Sequence, residues 1–409
     1  MPIRVIEIEL TEGIRPVWGL GARFDALRVL IRFRGRPIGW VAIEEVDQPI
    51  LFPGELKEAI GEQIGWDLMP FVLGRQDYLG AFQPRGQPPI SVIVCTRDRT
   101  ELLERCLDGL LGLDYPEYEI VVVDNAPSTD ATARLAAKFP VRYVREDQPG
   151  LDRARNAGIS QARHEIVAFI DDDARPDRKW LEAFARVFEE PEVMAVTGFV
   201  APIELETPAQ IRFEVTYGGM GHGFRPKVLN GSRLTRPELL WASNFGVGAN
   251  MAFRREIFRS IGFFDPALDV GTPSGGGGDV EMFHRLVANG NTLVYEPAAL
   301  VWHQHRRQAA GLRKLIFDNG RSFGGYLLTC MRKENLSRGS ILYFAVRHWL
   351  WAWLIYRLLK PGSYPRSLVW IELTGALLSP LAYLLAQANA RRLDGLSRAE
   401  HRQPFSVTG

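Results

Sequence analysis

The chain has 409 residues, 46% of them hydrophobic and 24% charged, and a formal net charge of +1. That is apolar content for one large domain with additions, or for two to three domains. It lacks the one-signed field of a nucleic-acid binder, so no nucleic-acid partner is expected. Cys95, Cys106 and Cys330 show neither metal-ligand spacing nor a disulfide framework, which fits a reducing compartment. The start MPIRVIEIEL has no basic segment leading into a long apolar run, so no signal peptide is expected.

Residues 1–86 read as a small β-rich domain. Positions 4–10 alternate as a strand does. The runs 27–34 and 37–43 are strand-like and meet at Arg34-Gly35-Arg36-Pro37, a hairpin candidate. A helix is expected over 55–64 after Pro53-Gly54. Trp18, Trp40 and Trp66 read as core or packing surface, because aromatic side chains dominate small cores. Pro and Gly at 83–89 mark a boundary.

From Ile90 strand and helix alternate. Strands are expected at 90–95, 119–124, 141–144, 166–170 and 193–197. Helices fall at 102–111, 130–139, 151–162 and 179–188, with Asp98 and Glu101 as a capping pair for the first. This alternation predicts an α/β domain over 87–310, its mostly parallel sheet covered by helices on both faces. Ligands of such sheets bind beyond the carboxyl ends of the strands. Three of those ends are polar: Thr96-Arg97-Asp98, Asp124-Asn125 and Asp171-Asp172-Asp173. The turn CTRDRTELLERC has no glycine, which argues against a dinucleotide fingerprint, and no GxxxxGK[ST] phosphate loop occurs.

The run IVAFIDDDARPD at 166–177 is the focus of this region. Three carboxylates after a buried strand repel one another unless a cation sits among them. Oxygen ligands suit Mg²⁺ or Mn²⁺, which also bind substrate phosphates. The alternative is an acidic cap for the following helix, from Asp173 or Asp177.

SVIVCTRDR, VVVDNAPSTD, PGLDRARNAGI, FIDDDARPD, GANMAFRREIF, FFDPAL, GGGGDVEMFHRL and VWHQHR follow one another in that order. From about 89 to 306 the chain thereby resembles the family 2 glycosyltransferases of the GT-A fold, a Rossmann-like architecture. The resemblance implies that Thr96, Arg97 and Asp98 line a nucleotide pocket and that Asp124 holds the base or ribose. It places Arg153, Arg155 and Asn156 under the nucleotide and sugar, Asp171 and Asp172 at the donor, and Asp173 on the metal. His303, with His305 beside it, matches a late histidine that completes the metal site or touches the diphosphate. Asp279 matches the catalytic base, but Gly278 stands where a glutamate is common, and Glu281 is the nearest substitute. Asp279 also reads as the N-cap of a helix over 280–288. The glycine-rich run 271–278 reads as a mobile loop or lid, and the run 217–224 either as a loop near the acceptor or as a plain connector.

Residues 311–409 read as helical. The segments 341–359 and 368–388 approach membrane-span length. Basic residues before, between and after them fit poorly with a spanning hairpin. The favoured reading is helices lying in a membrane surface, then a hairpin, then a dimer interface. The donor motifs end near His305, so a truncation from Arg338 is expected to bind donor still.

These readings imply a metal-dependent (Mn²⁺ or Mg²⁺), inverting enzyme. It would move a sugar from a nucleotide-diphosphate sugar to a glycan or lipid-linked acceptor, at the cytoplasmic face of a membrane. A nucleotidyltransferase, which would release pyrophosphate, is one rival. A catalytically inactive carbohydrate-binding or scaffolding protein, favoured by Gly278, is the other.

Overall fold

A computed structural model describes residues 2–21, 23–46, 48–73, 86–333, 337–360 and 364–400. The first strands are β1 (Ile3–Glu9), β2 (Val17–Trp18), β3 (Ala26–Phe33), β4 (Arg36–Ile43) and β5 (Ile50–Leu51). β1 runs parallel to β3, and β3 pairs antiparallel with β4, while β2 pairs with β5. The β3–β4 turn sits at Arg34-Gly35, both at positive φ (52° and 79°), which matches the twist of a tight hairpin. Alternation sets the two faces of this sheet. Ile6, Ile8 and Leu10 join the core beneath helix α1 (Pro53–Val72). Val5, Leu30 and Trp40 pack on Phe199, Tyr295, Leu300 and Trp302 of the central sheet.

Two expectations fail in this unit. α1 is 20 residues long, twice the predicted helix. Trp66 is 88% and Trp18 63% exposed, so of the three tryptophans Trp40 alone is a packing residue. Residues 83–85 of the expected linker lie outside the described residues.

The central sheet holds β6 (Ile90–Thr96), β7 (Tyr118–Asn125), β8 (Arg142–Glu146), β9 (Ile166–Asp171), β10 (Ala174–Pro176), β11 (Val193–Pro202), β12 (Lys227–Leu229), β13 (Asn250–Arg254) and β14 (Thr292–His303). Their order is β10-β14-β11-β13-β9-β6-β7-β8, with β12 on β14. β8, β7, β6 and β9 are parallel neighbours. Helices α2 (Thr100–Leu111), α3 (Ala131–Ala136) and α4 (Leu151–Gln161) supply the crossovers that parallel pairing requires.

The strand predicted at 193–197 does not extend this parallel row. β13 inserts antiparallel between β9 and β11, and β11 instead runs parallel to β14. β13 has five residues, too short for its period to be read without its neighbours.

Helix α5 (Trp180–Val187) covers one face of the sheet. The short helices α6 (Pro208–Ile211), α7 (Arg236–Leu240) and α8 (Ile257–Ile261) precede α9 (Gly278–Ala288). The C-terminal region comprises α10 (Ala309–Lys333), α11 (Arg338–Phe344), a π-helical stretch (Ala345–Ile355), α12 (Tyr356–Leu359) and α13 (Arg366–Glu400). α10 and α13 approach at backbone distance through small residues. A Cβ on Gly320 would lie 2.9 Å from the carbonyl carbon of Glu372, and one on Gly375 3.1 Å from that of Phe317. Tyr326, Leu327, Ile341 and Val369 belong to the same core as Ile93, Phe169 and Phe283, so these helices share the central sheet's core.

Candidate active site

Parallel strands present their carboxyl ends at one edge, which brings distant polar residues together. Thr96 ends β6, Asn125 ends β7 and Asp171 ends β9, while His303 ends β14. They border a cleft of about 520 Å³, completed by Arg97, Arg99, Gly150, Asp172, Asp173, residues 270–273, Arg306, Asn389 and Arg392. A groove of about 530 Å³ lies instead near the amino ends of β11 and β14. Among the described residues, the single three-residue group able to hold a metal ion faces the first cleft. It is Asp171, Asp173 and His303, with ligand atoms within 4.8 Å of one another.

The carboxylates after β9 are not equivalent. Asp172 turns inward, where its Oδ2 accepts the Thr96 hydroxyl at 2.8 Å and its Oδ1 accepts Arg99 at 2.6 Å. Burial, opposed by Arg99 and helped by the charge of Asp173, pushes its carboxyl up to about 7. Burial acts the same way on Asp173, but His303 and Arg99 outweigh it and hold this carboxyl well below the usual range. Arg99 bonds Asp173 Oδ2 at 2.6 Å. Asp173 Oδ1 lies 3.1 Å from His303 Nε2 without an aligned hydrogen bond. Burial works against protonation of His303, but the neighbouring Asp173 and Asp171 raise its pKa. The helix after this segment begins at Trp180; Asp173 takes no part in its start, while Asp177 Oδ1 accepts the Lys179 amide at 3.1 Å in the turn leading into it.

His303 is held in turn from the N-terminal side. Its Nδ1 is 3.2 Å from His305 Nδ1, and His305 Nε2 is 3.1 Å from Glu214 Oε2. Arg28 of β3 donates to Glu214 Oε1 at 3.1 Å. A buried line of polar contacts therefore runs from the N-terminal sheet to the metal-capable trio.

Several predicted residues stand elsewhere. Asp98, at φ 53°, accepts the amide and hydroxyl of Ser128 and ties two loops together. It does not cap α2, whose N-cap Arg99 has no side-chain bond. Asp124 is buried and accepts the Tyr143 hydroxyl at 2.9 Å. Arg153 reaches α13, donating to Ala390 O and Asp394. Asn156 clamps both backbone groups of Phe264. Glu281 is buried on α9 and binds Arg285 at 2.8 Å; two residues along a helix lie on nearly opposite faces, so it does not share the aspect of Asp279. Asp279 falls inside the first turn of α9, whose N-cap is Gly277. Its oxygens accept the amides of Gly248 at 2.7 Å and Val280 at 2.9 Å. Arg155 is buried and spans Asp152 Oδ1 (2.9 Å) and Gly248 O (3.5 Å).

The glycine-rich run 271–278 is docked on α10, with a Cβ on Gly275 falling 2.8 Å from Arg321. The 217–224 loop does not line the cleft. Tyr217 packs against Tyr364 and bonds Asn319, while Phe224 packs on Phe199. Arg99 lay within a recognised motif and needed only its side-chain direction. Asn389 and Arg392 carried no local signal, since they reach the cleft from positions more than 80 residues after His303.

Residues 91–262 match the family model described as Glycosyl transferase family 2. The chain carries a family 2 glycosyltransferase domain. Its α/β sheet with helical additions is of the GT-A type expected from the motifs. The chain is 27% identical over 235 residues to glycosyltransferase AglE of Haloferax volcanii, covering 56% of this chain and 70% of that protein. It is 29% identical over 224 residues to a pre-mycofactocin glycosyltransferase of Mycobacterium tuberculosis, covering 54% of this chain and less than half (43%) of that protein. Among solved structures it resembles mannosyltransferase PcManGT of Pyrobaculum calidifontis, in complex with GDP-Man and Mn²⁺. That likeness has 18% identity and a TM-score of 0.46 over 81% of this chain and 96% of that one.

Proposed function

We propose that this glycosyltransferase moves a sugar from a nucleotide-diphosphate sugar onto an acceptor hydroxyl, with inversion, at a membrane surface. The observation that carries the reading is the trio Asp171, Asp173 and His303 facing a cleft that also holds Arg97, Arg306 and Arg392. Two carboxylates and an imidazole are a donor set for Mg²⁺ or Mn²⁺, and Asp173 Oδ1 lacks an aligned partner. A divalent ion held there would neutralise the leaving diphosphate. The arginines would hold the diphosphate oxygens, with Thr96 and Asn125 on the nucleotide side. Asp279, kept in place by two backbone amides, would take the acceptor's proton on the far face of the sugar.

The membrane reading rests on the outer face of the C-terminal helices. Trp370, Leu377, Leu381 and Leu384 of α13 are exposed, as are Leu342, Trp351 and Leu359 before it. Exposed Arg347, Lys360 and Arg391 complement them with positive charge. Among the described residues one helix, Arg366–Asp394, is long and apolar enough to cross a bilayer. Its other face is packed on α10, which carries Arg313, Lys314, Asp318 and Arg321. Crossing would drag those charges into hydrocarbon, so an in-plane pose is favoured.

Melting the protein against nucleoside diphosphates and nucleotide sugars, with and without Mn²⁺, tests the donor site. A metal-dependent rise with one nucleotide, and release of nucleoside diphosphate on turnover, are expected. Release of pyrophosphate, or no stabilisation by any nucleotide, would overturn the reading.

A further inference from the structure

We propose that Asp152, in the first turn of α4, supplies from a neighbouring helix the acidic group that the catalytic loop lacks at Gly278. The inference rests on the transferase reading above. A Cβ on Gly278 would lie 2.6 Å from Asp152 Cγ and 2.9 Å from its Oδ1. The Asp152 carboxylate thus fills the space that a side chain at 278 would enter.

It is held there rigidly. Asp152 is 1% exposed; its Oδ1 accepts Arg155 at 2.9 Å and its Oδ2 has no hydrogen-bond partner. A bare buried carboxylate oxygen is costly and would turn to water if it could. The Asp152 side chain is held by the Arg155 bond, and Asp269 anchors the start of α4 by accepting the amides of Asp152 (2.9 Å) and Arg153 (3.4 Å).

Arg155 links this acid to Asp279. The guanidinium meets the carbonyl of Gly248, and the amide of the same residue donates to Asp279 Oδ2. A Cβ on Gly248 would lie 2.8 Å from that Oδ2, so a glycine is needed where the cation and the base converge. Asp152 holds Arg155 and keeps it from closing on Asp279. Burial and the charge of Asp269 push the Asp152 carboxyl up, while Arg155 favours its ionised form. Asp152 is a positioning residue: the ionised form holds Arg155, and without it Arg155 is free to pair with Asp279 and blunt it as a proton acceptor.

The test compares wild type, Asp152→Asn, Gly278→Glu and Asp152→Ser/Gly278→Glu by kcat, donor Kd, pH profile and melting temperature. Asp152→Asn keeps the shape and should lower kcat about 10²-fold with donor Kd unchanged. The acid limb of its kcat profile should move to lower pH, which a purely structural role would not cause. Gly278→Glu alone should melt early and transfer little. Adding Asp152→Ser should restore its melting temperature and raise transfer about tenfold or more. Wild-type kcat and an unmoved acid limb in Asp152→Asn, or a double variant no better than Gly278→Glu, would overturn the proposal and leave the transferase reading standing. A wild-type protein that transfers from no nucleotide sugar would overturn that reading and this one with it.

Discussion

The N-terminal unit and the C-terminal helices flank the same sheet and both reach its cleft, but by different physics. The N-terminal unit reaches the metal-capable trio through the polar line Arg28–Glu214–His305–His303, beside the apolar patch of Val5, Leu30 and Trp40 and the ion pairs Arg32–Asp177 and Arg36–Glu296. The C-terminal helices share the main core and form part of the cleft wall through Asn389, Arg392 and Leu393. They also brace two site segments: α13 receives Arg153, and α10 receives the 271–278 loop. The line behind His303 passes through single side chains, so one substitution can break it. A region that shares the core cannot be removed without the site.

The largest expected effect follows from that difference. Ending the chain after Lys333 strips α13 from α10 and uncovers part of the face carrying Ile316, Tyr326 and Leu327. Each large apolar side chain exposed costs about 1.5–3 kcal/mol, and a domain has only about 5–15 kcal/mol to lose. Insoluble protein with no donor binding is expected. A soluble truncated protein with wild-type donor affinity would return the C-terminal helices to the status of an appendage. Next comes Asp173→Ala, at the point where both flanks converge. Mn²⁺-dependent donor binding should disappear in a calorimetric titration, and transfer should fall about 10²- to 10³-fold.

A crossed pair of variants then separates the flanks. Arg28→Met breaks the N-terminal line behind His303 and should weaken Mn²⁺ affinity about tenfold while leaving metal-free nucleotide affinity alone. Arg392→Met should do the reverse, weakening nucleotide affinity about tenfold by removing a charged donor. Equal effects of both variants on both ligands would erase the distinction.

The smallest effect concerns the N-terminal seam. The ring of His222 packs edge-on against Tyr295, and burial together with Lys227 lowers its pKa from 6.5 to about 4. Between those values the unfolded chain binds more protons than the folded one. Stability should therefore fall as pH drops from about 6.5 to about 4, by at most about 3 kcal/mol. Melting curves of His222→Phe should lack that part of the slope.

The motifs made the parallel half of the fold legible, because strand–helix alternation leaves a local period and polar strand ends stand out against apolar strands. The cluster of Asp171, Asp173 and His303 was legible for the same reason. The residues that misled did so through direction. Asp98, Asn156 and Glu281 sit in the right segments, but their side chains tie loops or helices together instead of facing the cleft. Gly278 looked like a missing acid, and only the packing of α4 against α9 revealed Asp152 in its place.

By itself, the order of residues determined the α/β class, the edge at which a ligand site must form and the acids that gather there. Those follow from period and from the shared direction of parallel strands. Tertiary structure alone decided that β13 would split the sheet and that Arg28 would stand behind His303. It alone brought Arg392 of the last helix into the cleft. These are contacts between residues far apart in the chain, set by which apolar faces bury each other, and no local pattern encodes them.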